Sequence, residues 1–189
     1  MNAKIRCGWV PSNKPVYEKY HDEEWGVPVY DDKKMFEFLV LESFQAGLSW
    51  EIVLNKRDNF RAAFAQFDYH LVAKFDEAKV QELLQDKGIV RNQLKIRAAI
   101  NNAQRFLEVM AEFGSFCNYF WNFSGGKPIQ NHLKSLDDIP ASTALSDTIS
   151  KDLKQRGFKF MGTTVIYAHM QAVGMVNDHL EECFRYSEV

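Results

Sequence analysis

A chain of 189 residues, 46% hydrophobic and 25% charged, is long enough for one substantial core and has the composition of a folded globular protein. Its formal net charge of −2 argues against holding nucleic acid by bulk electrostatics, although a local basic face on a near-neutral molecule stays open. Three cysteines cannot all pair within one chain, the opening MNAKIRCGWV lacks the apolar run of a signal peptide, and no stretch reaches the roughly 18 apolar residues of a membrane span, so a cytoplasmic protein is expected.

Strand signals are scarce and helical periodicity recurs, which predicts an all-α fold. Residues 1–15 read as irregular. Asp31 or Asp32 is placed to cap a helix through about Gln45, and a second segment runs from about Ser49 to Arg57. Asp76 is the expected N-cap of a helix over Glu77–Asp86, stopped by Gly88. Ile96, Ile100, Ala103, Leu107 and Met110 then mark a long amphipathic helix. After the irregular NFSGGKPIQNH (122–132), Leu145, Ile149 and Leu153 mark another helix that ends at Gly157. The last two helices are expected at about Thr163–Val173 and Asn177–Phe184. No linker is long enough to split the chain, so residues 1–189 read as a single domain.

Three features invite a chemical reading. The first is LESFQAGLSW (41–50), in which Glu42 shares a helix face with Phe38 and Leu39. A carboxylate carried on the apolar side is costly unless a cation or hydrogen-bond donor meets it. The second is a set of metal-ligand types: Cys7 and His21 near the start, His179 and Cys183 near the end. On a helix the latter pair, four apart, would point the same way. Spacing alone leaves open both a tetrahedral zinc site and two buried cysteines beside two ordinary histidines. Cys117 reads as core, and His70, His132 and His169 as surface or core. The third is LLQDKGIVRNQLKIRAAI (83–100), where Gly88 joins two helices and Arg91, Lys95 and Arg97 follow. It fits either a helix-hairpin-helix that grips a phosphate backbone or an ordinary αα-hairpin with solvated charges.

CGWV (7–10), YHDEEWGVP (20–28), LESFQAGLSW, RGFKFMGTT (156–164) and GMVNDHLEEC (174–183), in this order over nearly the whole chain, resemble the type I 3-methyladenine DNA glycosylases, alkylation-repair enzymes of bacteria. The resemblance implies a helix-hairpin-helix glycosylase bundle whose central region, about 60–115, carries the hairpin. It also implies a structural zinc on Cys7, His21, His179 and Cys183 that pins the N- and C-terminal segments together. Glu42 and Tyr20 would be the catalytic and base-binding residues, with Trp50 beside them and Trp9, Tyr17 and Trp25 around them. Leu48 would plug the gap left by a flipped nucleotide, and Gly88, Arg91 and Lys95 would hold the backbone, with the basic stretches at 56–61 and 151–160 extending that face. The expected partner is double-stranded DNA containing 3-methyladenine, met by a monomer. The expected outcome is hydrolysis without strand cleavage. A non-catalytic damage-binding protein on the same scaffold is the alternative, and a zinc hydrolase of small molecules ranks last because two Cys and two His fill the metal's shell.

Overall fold

The computed structural model describes residues 4–189, so the first three residues of the stretch read as irregular lie outside the described residues. Ten α-helices are found among the described residues: α1 (Pro15–Glu23), α2 (Asp32–Gln45), α3 (Trp50–Asn55), α4 (Arg57–Ala63), α5 (Tyr69–Val72), α6 (Glu77–Gln85), α7 (Gln93–Phe113), α8 (Phe116–Asn122), α9 (Ala144–Gln155) and α10 (Thr163–Ala172). None is long and apolar enough to cross a membrane.

Local chemistry sets most of the boundaries. Asp31, Asp76, Asn92 and Ser115 each cap a helix by accepting from the backbone N–H three residues on. Thr143 and Ser146 form a reciprocal capping box at the start of α9. The core organises around α2, in which every residue from Met35 to Phe44 is buried. It packs on α3, α7, α8 and α10. A helix covered on all sides buries even its polar residues, which is how Glu37, Glu42 and Ser43 come to lie inside.

The mostly helical expectation holds, with instructive departures. The segment expected as one helix from Ser49 breaks at Lys56 into α3 and α4. Helices α1 and α8 form where none was expected. The helix expected over Asn177–Phe184 is absent: strand β2 (Val176–Asn177) pairs in parallel with β1 (Ile129–Gln130), and a bridge from Leu133 to Leu180 prolongs the contact. The Met175 and Asn177 carbonyls there accept from the N–H groups of Ile129 and Asn131. That pairing takes backbone groups an α-helix would have used itself, and nothing local in the sequence announces a partner so distant along the chain.

The turn between α10 and β2 depends on Gly174, at φ +71°. A Cβ there would lie 2.4 Å from the Val27 carbonyl carbon and 2.5 Å from the Pro28 nitrogen. Backbone cannot yield as a flexible side chain can, so Gly174→Ala combines overpacking with an unfavourable φ. The expected loss is about 3 kcal/mol, read as a lower urea midpoint at unchanged slope.

Candidate active site and metal centre

A cavity of about 320 Å³ opens between α1, α2, α3 and α10, lined by Trp9, Tyr17, Tyr20, Trp25, Glu42, Gln45, Trp50, Ile139, Ala168 and Gln171. All six aromatic and acidic residues singled out in the sequence for this neighbourhood meet here. The rings contact one another edgewise or at a tilt: Trp9 lies 4.9 Å from Trp25 and Tyr20 lies 5.3 Å from Trp50, centroid to centroid. Four lining residues carried no signal. Two of them, Ala168 and Gln171, sit three apart on α10 and so share a face, but an Ala and a Gln on an apolar helix stand out only once the opposite wall is known.

Helix α2 carries two buried carboxylates, and their surroundings differ. Glu37 accepts from Arg57 and Arg61 and pairs with Lys34. Glu24, at the end of α1, chelates the Arg57 guanidinium with both oxygens at 2.8 Å. Burial alone would raise both carboxyls, but the hydrogen bonds outweigh it: Glu24 is pulled down to about 2 and Glu37 is lowered as well. Glu42, one turn on and 5% exposed, has no ion pair among the described residues. Burial pushes its pKa from 4.5 up to about 8. Tyr20, raised by burial and then by the neighbouring Glu42, stays a neutral hydroxyl. The cavity thus presents aromatic faces and one carboxyl that the described residues leave without a cation.

Behind this wall, Cys7, His21, His179 and Cys183 are all buried, with their ligand atoms within 4.8 Å of one another. The Cys183 sulfur lies 3.4 Å from His21 Nε2 and 3.5 Å from His179 Nδ1, and the Cys7 sulfur 3.6 Å from His179 Nδ1. A tetrahedron with Zn–S near 2.3 Å and Zn–N near 2.05 Å has S···N edges of about 3.5 Å, so the donor set fits a four-coordinate metal. The outer ring nitrogens are held too. His21 Nδ1 meets Asp22, itself gripped by Arg6, and His179 Nε2 meets the Trp25 carbonyl. The ligands at 179 and 183 converge as expected, but through β2 and a turn closed by Cys183 N–H to the Leu180 carbonyl, not along a helix. Of the other histidines, His169 is buried and pushed down to about 3, with Nε2 against the Met35 sulfur.

The residues expected to face DNA divide. Leu48 is half-buried at the turn beside Trp50, and Arg91 is exposed. Gly88 occupies the connector between α6 and α7, where its N–H donates to Asp86 and its carbonyl accepts from Lys56 and Asn59. Lys95 departs from expectation. It is buried, and its ammonium donates to the carbonyls of Phe44 at 2.8 Å and Ala46 at 2.5 Å instead of pointing outward. The basic stretch at 56–61 is likewise mostly committed, Arg57 and Arg61 to Glu37 and Lys56 to the hairpin; in the stretch at 151–160, Arg156 pairs with Asp152 and Glu112.

The family model described as methyladenine glycosylase matches residues 9–186. DNA-3-methyladenine glycosylase 1 of Escherichia coli K12 is 50% identical over 181 residues, 96% of each chain. A crystal structure of 3-methyladenine DNA glycosylase I superposes with a TM-score of 0.91 at 51% identity, covering 95% of this chain and 98% of that one. A single-substitution variant of a 3-methyladenine DNA glycosylase I, solved in complex with 3-methyladenine, superposes with a TM-score of 0.89 at 35% identity, covering 92% and 93%. Fold and cavity together define a helical DNA glycosylase. Within that class, the chain belongs to the methyladenine glycosylase family.

Proposed function

We propose that this protein hydrolyses the N-glycosidic bond of 3-methyladenine in alkylated DNA, releasing the free base and leaving an abasic site. The observation that carries the reading is Glu42, a buried carboxyl in an aromatic cavity with no cation beside it among the described residues. Methylation at N3 gives the base the positive charge this site lacks. A desolvated cation gains about 0.5–2 kcal/mol from aromatic faces, here offered by Trp50, Tyr20 and the ring of Trp9, Tyr17 and Trp25. A carboxylate accepting from the amino edge adds about 1.5–3 kcal/mol. The entering cation also favours the ionised form of Glu42 and draws its pKa down from the value of the empty cavity. Unmodified adenine, being neutral, provides none of this and is rejected as much as it is ignored.

The bond itself is weak once the base is cationic. When it breaks, its electron pair neutralises the base, and water adds at the sugar carbon with loss of a proton. The nucleotide has to leave the stack first, and Leu48 is the apolar wedge that fills the vacated space. The connector around Gly88, with Arg91 exposed next to it, meets the backbone. An amine poised for lyase chemistry would need to reach the sugar; Lys95 instead spends its donors on two backbone carbonyls. We assign zinc to the Cys7, His21, His179 and Cys183 group, where it supplies a fixed cross-link and no reaction step. The whole chain acts as one domain, in a monomer that sets one face against duplex DNA.

The test is base release from methylated duplex DNA with products resolved by identity. The expected result is 3-methyladenine, little 7-methylguanine, and no strand cleavage. A protein that holds its metal and binds DNA but frees no base would be a damage-binding relative, and the enzymatic reading would be wrong.

A further inference from the structure

Helix α2 ends in a tight turn: its C-cap, Ala46, leaves the helix at φ −48° and ψ 114°, Gly47 follows at φ +81°, and the Leu48 N–H bonds the Gln45 carbonyl, so no backbone N–H among the described residues reaches the Phe44 carbonyl. The carbonyls left over at such an end need donors. The Lys95 ammonium supplies them, from 49 and 51 residues away, by bonding Ala46 and Phe44. A cation at this position also complements the negative end of the helix dipole. The two carbonyls flank Gln45, which lines the cavity and whose amide donates to the Leu48 carbonyl at 2.8 Å; the Leu48 N–H returns a bond to the Gln45 carbonyl at 2.7 Å. Glu42 lies in the same last turn, and Trp50 opens the next helix. Lys95 itself sits in the first turn of α7, directly after the Gly88 connector, with its own N–H capped by Asn92. Burial lowers its amine pKa, as expected for an ammonium drawn inside.

We propose that Lys95 is a positioning residue for base recognition: by clamping the Phe44 and Ala46 carbonyls it fixes the 42–50 wall of the cavity to the hairpin helix. This rests on the glycosylase reading for its consequence but on hydrogen-bond geometry for its existence. Lys95 then governs how well the cavity holds a base, and does not contribute to backbone affinity.

The test compares wild type with Lys95→Met in three measurements. Single-turnover release of 3-methyladenine is expected to fall about tenfold or more in the variant. Free 3-methyladenine, followed by fluorescence of the cavity tryptophans, is expected to bind about tenfold more weakly. Affinity for undamaged duplex is expected to stay within about twofold, with the same salt slope. Unchanged release and base binding would reduce Lys95 to a plain helix cap and overturn the inference. So would a loss of duplex affinity with a salt slope shallower by about one, the mark of a phosphate contact. If the variant does not fold, the wild-type ammonium of Lys95, followed by nitrogen-15 NMR through its own side-chain carbons, gives the answer. Its resonance is expected to move when free 3-methyladenine is added and to hold still with undamaged duplex; the opposite pattern overturns the proposal. Base binding and the ammonium resonance do not depend on turnover, so a failure of the glycosylase reading would show separately, as absent release by wild type.

Discussion

Cys183→Ala is expected to abolish the cooperative thermal transition, leaving a chain with helical far-ultraviolet dichroism but no fixed aromatic environment. The variant removes one of four buried donors whose spacing suits zinc, and the remaining three cannot close the shell. Structural zinc sites contribute about 10–16 kcal/mol of apparent binding free energy in small metal-folded peptides, as large as the roughly 5–15 kcal/mol net stability of a whole domain. The outcome should therefore be loss of the cooperative fold and not a modest shift. Prolonged chelation of the wild type should reproduce it, with about one zinc released per chain by elemental analysis. Purified protein free of metal, together with a Cys183→Ala melt within a degree or two of wild type, would mean the four residues are only a buried cluster.

Glu42→Gln is expected to do opposite things to activity and to stability. Loss of the charged acceptor removes about 1.5–3 kcal/mol of recognition, so kcat/KM for 3-methyladenine release should drop roughly 10- to 150-fold. Stability should move the other way. Because burial raises Glu42 from 4.5 to about 8, the folded state binds its proton more tightly than the unfolded chain does. That contribution is fully present below about pH 4.5 and is lost as pH climbs through about 8. Glutamine does not titrate. The variant should therefore melt close to wild type at pH 5 but higher at pH 8, by about 3 kcal/mol or roughly 5–10 °C. A variant equally active, or equally stable across that range, would show that Glu42 is paired with a cation after all. A residue whose removal strengthens the fold and weakens the reaction is retained for the reaction.

How much of this was written locally in the chain differs by element. The start of α2 follows from Asp31 and the apolar run after it, and α6, α7 and α9 follow from periodicity and caps, because those signals act over a few residues. The oddity of Glu42 was equally visible. By contrast, nothing near Arg57 reports that Glu24 and Glu37, 33 and 20 residues away, absorb its charge. Lys95 looked like a surface cation because its acceptors are backbone carbonyls, which carry no sequence signature. His179 and Cys183 were paired correctly for the wrong geometric reason, since a turn can bring residues four apart together as a helix does. Gln45, Ile139, Ala168 and Gln171 became visible only once four helices stood around one space.

The buried cluster joins residues 7 and 21 to residues 179 and 183, and the segment between the first two runs into α1, which carries Tyr17 and Tyr20. During synthesis on the ribosome, the N-terminal wall of the cavity emerges early and meets α2 and α3, through Tyr20 against Phe38 and Trp50, long before its partners on α10 and at residues 179 and 183 exist. Helices α1 to α9 have the opportunity to form before that point, whereas the buried cluster waits for a ring closure more than 150 residues long. Loop-closure entropy grows only logarithmically with length, so the late closure is thermodynamically mild. Its kinetic effect is larger: a nascent or truncated chain can carry a folded hairpin and still have no finished cavity. Competence to receive a base is thereby made the last property the molecule acquires.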